Sequence, residues 1–317
     1  MVTPWLTASR AALLQACAAR WLHESSSRDR FAQPDHSRNL GTVIHAVVEH
    51  WIQTGSWREP AGDQALQQRV VDLAAQESIA AADAVRAGAR LALRAQGLRE
   101  VMLANAGSPR TEVDFVSEAH RVRGRADLVM SGDPQDLVVD LKTGNVVREA
   151  AGIRTQMAVY AWLVSTSGRP WPETTVFSLG KGAHRLLLDE AEGVALVDNL
   201  LQLREEAMTN ASESPTPDAC FVCQRRLVCR AYWEATVDQR GEIALSGTLE
   251  VDEESALGPR TWVLKVDGTD VLIRGIERAT VIGALTIGEE AKVAGVRARD
   301  GDNRYLAGFG TLAGSDR

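Results

Sequence analysis

No apolar run in the 317 residues approaches the ~20 that a membrane-spanning helix needs. Met1 to Thr7 lacks both the basic start and the apolar stretch of a secretory leader, so the expected setting is reducing and cytoplasmic. No Gly-x4-Gly-Lys-Ser/Thr loop is present, so any ATP-driven unwinding of nucleic acid has to come from a partner. Positive charge is also short. The 35 Lys and Arg residues face 42 Asp and Glu, giving a formal net charge of −7. That balance argues against indiscriminate coating of nucleic acid and leaves room for a local basic groove. A hydrophobic content of 45 % suffices for a substantial core and predicts two domains.

Against these absences stands a short constellation of charged residues. Arg121 to Met130 and Asp136 to Lys142 read as strands joined by a Ser131-Gly132-Asp133-Pro134 turn. Side chains alternate along a strand, so Asp140 and Lys142 share one face while Val139 and Leu141 enter the core. Asp127 on the neighbouring strand can project onto that face. Two carboxylates suit a hard cation such as Mg²⁺ or Mn²⁺, and an ammonium beside them can stabilise a phosphoryl transition state. Alone, Asp-x-Lys reads more simply as solvated acids on edge strands.

The flanking segments shift that balance. Gly41 to Glu49 has helical periodicity and sets His45 and Glu49 four apart on one face; Gln156 and Tyr160 are likewise four apart on a second helix. The ordered series is His45, Gly124 to Asp127, Asp140-Leu141-Lys142-Thr143-Gly144, then Gln156 with Tyr160. It resembles the PD-(D/E)xK nuclease superfamily in its RecB-like branch. The resemblance covers residues 5 to 235 and implies a restriction-endonuclease-like α/β core with a mixed central sheet flanked by helices. It also implies roles: His45, Asp127 and Asp140 ligate the metal, with the Leu141 carbonyl as a further ligand. Lys142 activates the attacking water, Gln156 orients that lysine or the phosphate, and Tyr160 contacts the DNA backbone. Glu112, on a strand from Thr111 to Val116, stands as an outer partner of the ligands, and Glu49 reads equally as a solvated helix residue.

Cysteine is scarce and unevenly placed. Of four, Cys17 stands alone and the others form Cys220-x2-Cys223-x5-Cys229. Four thiolates complete a Cys₄ centre, and spacing alone does not separate Zn²⁺ from a [4Fe–4S] cluster. One cysteine before the nuclease core and three after it resembles the iron–sulfur staple of AddB-type helicase-nucleases and CRISPR-associated adaptation exonucleases. The resemblance favours [4Fe–4S], although Ala18 stands where proline commonly follows the first cysteine.

The remaining segments complete the expectation. Residues 59 to 106 read as a helical insertion within a nuclease domain of residues 1–237. Arg20, His23, Arg28, Arg30, His36 and Arg38 gather in a loop after the first helix, where they suit DNA-backbone contact. Residues 238–317 turn to short β runs with glycine turns, which predicts a small β-barrel of OB type. Only Trp262, Tyr305 and Phe309 could serve there as stacking platforms, and 10 Lys/Arg against 14 Asp/Glu leaves the barrel negative. Single-strand binding and protein docking are equally open to it. The functional expectation is a Mg²⁺- or Mn²⁺-dependent DNA exonuclease acting on single-stranded or frayed ends. Its setting would be recombination, repair, phage replication or CRISPR adaptation, with a helicase, recombination or adaptation partner. The alternative is a non-catalytic DNA-binding or scaffolding subunit.

Overall fold

The computed structural model describes residues 3–26, 36–105, 107–143, 150–214, 220, 223–234, 243–256, 258–299 and 303–315. They belong to two compact units, one drawn from residues 1–15 and 34–208, the other from 16–33 and 209–317. This division gives the cysteine-bearing segments to the same unit as the C-terminal strands.

In the first unit, β1 (Leu6–Thr7) leads into α1 (Ala8–Ala16), and α3 (His36–Gln53) is followed by α4 (Ala61–Gln76) and α5 (Ala81–Leu103). Val43, Ile44, Val47, Val48, Trp51 and Ile52 recur at three- and four-residue spacing along α3 and are all buried. They pack with Leu66 and Val70 of α4 and with Leu91, Leu98 and Met102 of α5. The same cluster takes in Leu128, Leu137, Val139 and Leu141 from the sheet. Each such side chain contributes about 1.5–3 kcal/mol by leaving water.

The sheet comprises β2 (Pro109–Ser117), β3 (Val122–Met130), β4 (Leu137–Lys142), β5 (Glu173–Ser178) and β6 (Gly182–Leu186) together with β1. Its order is β1-β3-β4-β5-β6, with β2 on the other edge of β3. β4 and β5 are parallel, and α6 (Ala150–Thr166) makes the crossover between them. Both strands are buried almost throughout, as a covered parallel pair requires. α6 packs on β2, β3, β4 and β5. It begins at Ala150, so Gln156 sits one to two turns inside it rather than opening it. α7 (Glu190–Thr209) completes this unit, and Arg204 within it donates to the His120 carbonyl at 2.8 Å.

One irregularity positions everything that follows. The β3–β4 ladder runs only over Leu128–Met130 against Leu137–Val139, while β1 pairs with the other end of β3 at Val122 and Arg123. Between these two stretches that edge of β3 has no strand beside it among the described residues. The Leu141 amide, leaving the ladder, donates instead to Asp127 Oδ2 at 2.6 Å. A notch therefore opens in the sheet beside Gly124 to Asp127.

The second unit contains α2 (Ala18–Ser26), a 3₁₀ turn at Gln224–Leu227, α8 (Arg230–Glu234) and a β-barrel. The barrel strands are β7 (Ile243–Glu254), β8 (Arg260–Val266), β9 (Thr269–Ile276), β11 (Glu290–Ala298) and β12 (Arg304–Gly314), with β10 (Val281–Ile282) appended to β12. The order β12-β11-β7-β8-β9 closes on itself because β9 and β12 pair in parallel. Leu249, Trp262, Leu264, Ile273 and Val293 fill the interior. Trp262 is thus core, with its indole N–H donated to Asp252 at 2.9 Å, and offers no stacking surface. The Phe309 side chain lies outside the described residues.

Arg20 and His23 lie on α2, not in a loop, and Arg20 pairs with Glu24 one turn on. Arg28 and Arg30 fall outside the described residues, as do the side chains of His36 and Arg38. No helix among the described residues is long and apolar enough to cross a membrane.

Candidate active site

The notch in the sheet is the floor of a cleft of about 1200 Å³ lined by His45, Glu112, Asp127, Asp140, Leu141, Lys142, Gln156 and Tyr160. Five elements deliver these groups: α3, β2, β3, β4 and α6. Every described residue of the ordered sequence series except the core residue Ala126 lines it; Gly144 falls outside the described residues.

Asp140 and Lys142 share one face of β4, as alternation demands. The Lys142 Nζ lies 2.9 Å from Asp140 Oδ2, an ion pair without hydrogen-bond alignment, so that oxygen has no hydrogen-bond donor. The same ammonium donates to Gln156 Oε1 at 2.9 Å, while Gln156 Nε2 donates to Asp140 Oδ1 at 3.0 Å. One glutamine amide thus holds the lysine and the aspartate together, which also fixes which way the amide is turned. Asp140 is 2 % exposed. Burial pushes its carboxyl up to about 6, and Asp127 adds to the rise against the pull of Lys142.

Tyr160 sits one turn beyond Gln156. Its hydroxyl donates to the Arg125 carbonyl at 2.6 Å and accepts from Gln156 Nε2 at 3.1 Å. The residue is 3 % exposed, and burial followed by the nearby Asp140 charge raises its pKa. Its oxygen is committed inside the protein, which runs against the DNA contact expected of it. This approach explains the glycine of Gly124-Arg125-Ala126-Asp127: a Cβ on Gly124 would stand 2.7 Å from the Tyr160 ring and 3.0 Å from Ala8 Cβ.

On the other side of the notch, His45 Nδ1 lies 3.3 Å from Asp127 Oδ1 and 3.9 Å from Glu112 Oε1. Its Nε2 lies 3.2 Å from the Leu141 carbonyl oxygen, a hydrogen bond when that nitrogen carries the proton. Burial lowers the imidazole pKa, but the hydrogen bond and charge of Asp127, then Glu112 and Asp140, outweigh it and the net shift is upward. Glu112 is also raised, first by burial and then by repulsion from Asp127. His45, Glu112 and Asp127 each offer a donor atom within 4.8 Å of the others. An imidazole nitrogen with two carboxylate oxygens suits Mg²⁺ or Mn²⁺.

Glu112, expected as an outer partner of the ligands, lies 3.9 Å from His45 Nδ1 through its Oε1. It adopts φ 51° within β2, and the register Thr111↔Leu128 and Val113↔Ala126 sets it opposite Asp127. The hairpin register was a signal that could have found it; the left-handed backbone was not. Glu49 is tied to the same wall, its Oε1 accepting from Gln53 at 2.9 Å and from Thr111 at 3.5 Å.

The four cysteines converge in the second unit. Cys17 occupies the break between α1 and α2, and Cys220, Cys223 and Cys229 flank the 3₁₀ turn. All four are free thiols. With Arg20, Glu213, Arg225, Arg226 and Tyr232 they line a narrow cleft with only about 10 Å³ of free space. The Cys223 amide donates to the Cys220 carbonyl at 3.0 Å, and Arg225 pairs with Glu213 at 3.2 Å. Burial raises the Cys223 thiol and pushes Cys229 up to about 11, so these thiols stay protonated until a metal displaces the proton.

The family model for the PD-(D/E)XK nuclease superfamily matches residues 5–230. No curated protein matches the chain. Among solved structures, a candidate exonuclease from Eubacterium rectale aligns over 74 % of this chain and 89 % of its own, at 9 % identity and a TM-score of 0.45. The structure of SSO0001 aligns over 70 % and 95 % respectively, at 18 % identity and a TM-score of 0.30. At such scores neither likeness carries weight beside the family model. That model spans the whole series from the β1 strand through the last cysteine, including the acid–acid–lysine notch, and the chain belongs to the PD-(D/E)XK nuclease superfamily.

Proposed function

We propose that the protein is a metal-dependent deoxyribonuclease of the RecB-like branch, acting as an exonuclease on single-stranded or frayed DNA ends. The observation that carries this reading is the intact Asp140–Lys142–Gln156 bridge standing beside His45, Asp127 and Glu112 in one cleft. A scaffold gains nothing from crowding carboxylates whose pKa values rise at each other's expense.

His45 and Asp127 would hold a divalent cation, with Asp140 and the Leu141 carbonyl bordering it. Such a cation supplies a water of lowered pKa and neutralises charge on the phosphoryl oxygens. Lys142 places its ammonium where the scissile phosphate enters, stabilising charge that develops there. Gln156 prevents Lys142 from swinging away and keeps Asp140 oriented. Tyr160 works through Gln156 and the β3 backbone, so it is a positioning residue. Arg123 and Arg125 line the outer part of the same cleft and suit contact with the DNA backbone.

The thiol donor set suits a Cys₄ centre, for which we propose [4Fe–4S] over Zn²⁺. The placing of one cysteine before the nuclease core and three after it supports the cluster. The centre would tie residue 17 to residues 220–229 and close a long loop. The domain boundary near residue 237 belongs to this reading, as does an OB assignment of the barrel. The strand order β7-β8-β9-β12-β11, with β9 parallel to β12, supports that assignment.

Incubating the purified protein with single strands labelled at either end, with Mn²⁺, Mg²⁺ or chelator, tests the proposal. Cation-dependent shortening from one end is expected. Intact substrates of both polarities with every cation would leave the scaffold reading in its place.

A further inference from the structure

Trp5 immediately precedes β1, whose parallel pairing with β3 sets Leu6 against Val122 and Thr7 against Arg123. The indole is half-buried, and two guanidiniums lie over it, Arg121 at 5.0 Å from the ring centroid and Arg123 at 5.5 Å. The two arginines differ in what else they do. Arg121 donates its Nε to the Thr3 carbonyl at 2.7 Å, which fastens the segment before β1 to the start of β3. Arg123 is exposed and has no hydrogen bond or ion pair among the described residues. Arg125, further along the same strand, spends two nitrogens on Asp114 at 2.9 and 3.3 Å. Arg121 already anchors the indole, and Arg123 keeps its N–H donors for a group outside the chain.

Position gives that group its chemistry. Arg123 lines the open cleft together with Val116, its exposed cross-strand partner on β2. It precedes Asp127 by four residues, ~13 Å along β3. A strand whose scissile phosphate lies beside Asp127 and Lys142 would pass Arg123 a few nucleotides away. An indole face takes any base by stacking, and a guanidinium pairs with phosphate oxygens through parallel N–H donors. A base inside a duplex must first leave its own stack, so the indole favours an unpaired one.

We propose that Trp5 and Arg123 form a nucleotide subsite on the rim of the cleft: the indole stacks on an unpaired base and the guanidinium holds an adjacent phosphate. Arg123 covers the ring in the free protein and yields it to the base as it turns to the phosphate, since an exposed cation–π contact is weak enough to exchange for stacking. The subsite rests on the nuclease reading for its position, but it is read by binding and not by cleavage.

Anisotropy of a fluorescein-labelled oligothymidylate with the full-length protein in chelator tests the claim, with one abasic site moved along the strand. At one position the missing base should weaken wild-type binding about tenfold. The same site should cost Trp5→Leu nothing further, and Trp5→Phe should restore part of the effect. Arg123→Gln should weaken binding and flatten the slope of log affinity against log salt by about 0.7. An abasic profile in folded Trp5→Leu identical to that of wild type overturns the proposal. So does an unchanged salt slope in Arg123→Gln, which decides the matter if Trp5→Leu does not fold. Wild-type protein that binds no single strand at low salt overturns it as well. Wild type that shows the coupled abasic position yet shortens no strand with Mn²⁺ would end the nuclease reading and leave the subsite standing. A flat abasic profile in a wild type that cleaves would do the opposite.

Discussion

The carboxylate cleft and the cysteine cleft solve opposite problems with the same device of converging distant residues. The first leaves about 1200 Å³ open beside the partly exposed side chains of His45, Glu112 and Lys142. The second closes four thiols into about 10 Å³, with Cys220 and Cys223 buried. Metal centres that hold a fold together are shut, and those that act on a substrate keep a position open. On the proposed reading, the contrast gives chemistry to one cleft and stability to the other.

The sharpest way to break that contrast is to remove one group from each. Lys142→Ala should lower the hydrolysis rate by about 10³-fold or more, read with labelled DNA and Mn²⁺, and leave the unfolding midpoint nearly unchanged. Cys17→Ala should do the reverse: loss of the visible absorption of a bound cluster and a stability loss of at least about 3 kcal/mol in denaturant. Its carboxylate cleft should still bind Mn²⁺. A Cys17→Ala protein that stays brown and fully stable would erase the distinction between the two sites.

A pH experiment sharpens it further. His45, Glu112 and Asp140 all have raised pKa values when no cation is present. The folded state therefore binds more protons than the unfolded chain, and this contribution to stability is lost as pH rises through the folded values. For Asp140 the window runs from 3.8 to about 6 and is worth about 3 kcal/mol at most. Chelated protein should melt lower at pH 7.5 than at pH 5, and Mn²⁺ should raise the midpoint more at pH 7.5. An equal Mn²⁺ effect at both values would mean that the carboxylates do not face the cation.

Smaller effects come from the support around the open cleft. Gly124→Ala forces the Tyr160 ring and Ala8 apart and should cost about 1–3 kcal/mol in thermal unfolding, with a further loss of rate as Gln156 loosens.

Much of this was legible in the sequence, and for a physical reason. Alternation along β4 fixes Asp140 and Lys142 on one face without knowledge of the fold, and helical spacing does the same for Gln156 and Tyr160. The strands of the barrel follow from glycine turns between apolar runs. What was hidden depends on backbone departures and burial. The left-handed φ of Glu112 leaves no trace in composition, and the hydroxyl of Tyr160 is spent on a carbonyl that only the folded β3 presents. Trp262 resembles a stacking platform until the barrel closes around it. The wide role of Gly124 becomes visible only when the ring that needs its space is in place.

Single-turnover digestion of an end-labelled single strand, with Mn²⁺ added to wild type and to Lys142→Ala at matched cation occupancy, tests the central claim most directly. The account predicts rapid shortening by wild type and an intact strand with Lys142→Ala, although both bind the metal equally. Equal cleavage by the two proteins, or none by either with Mn²⁺ bound, would contradict it.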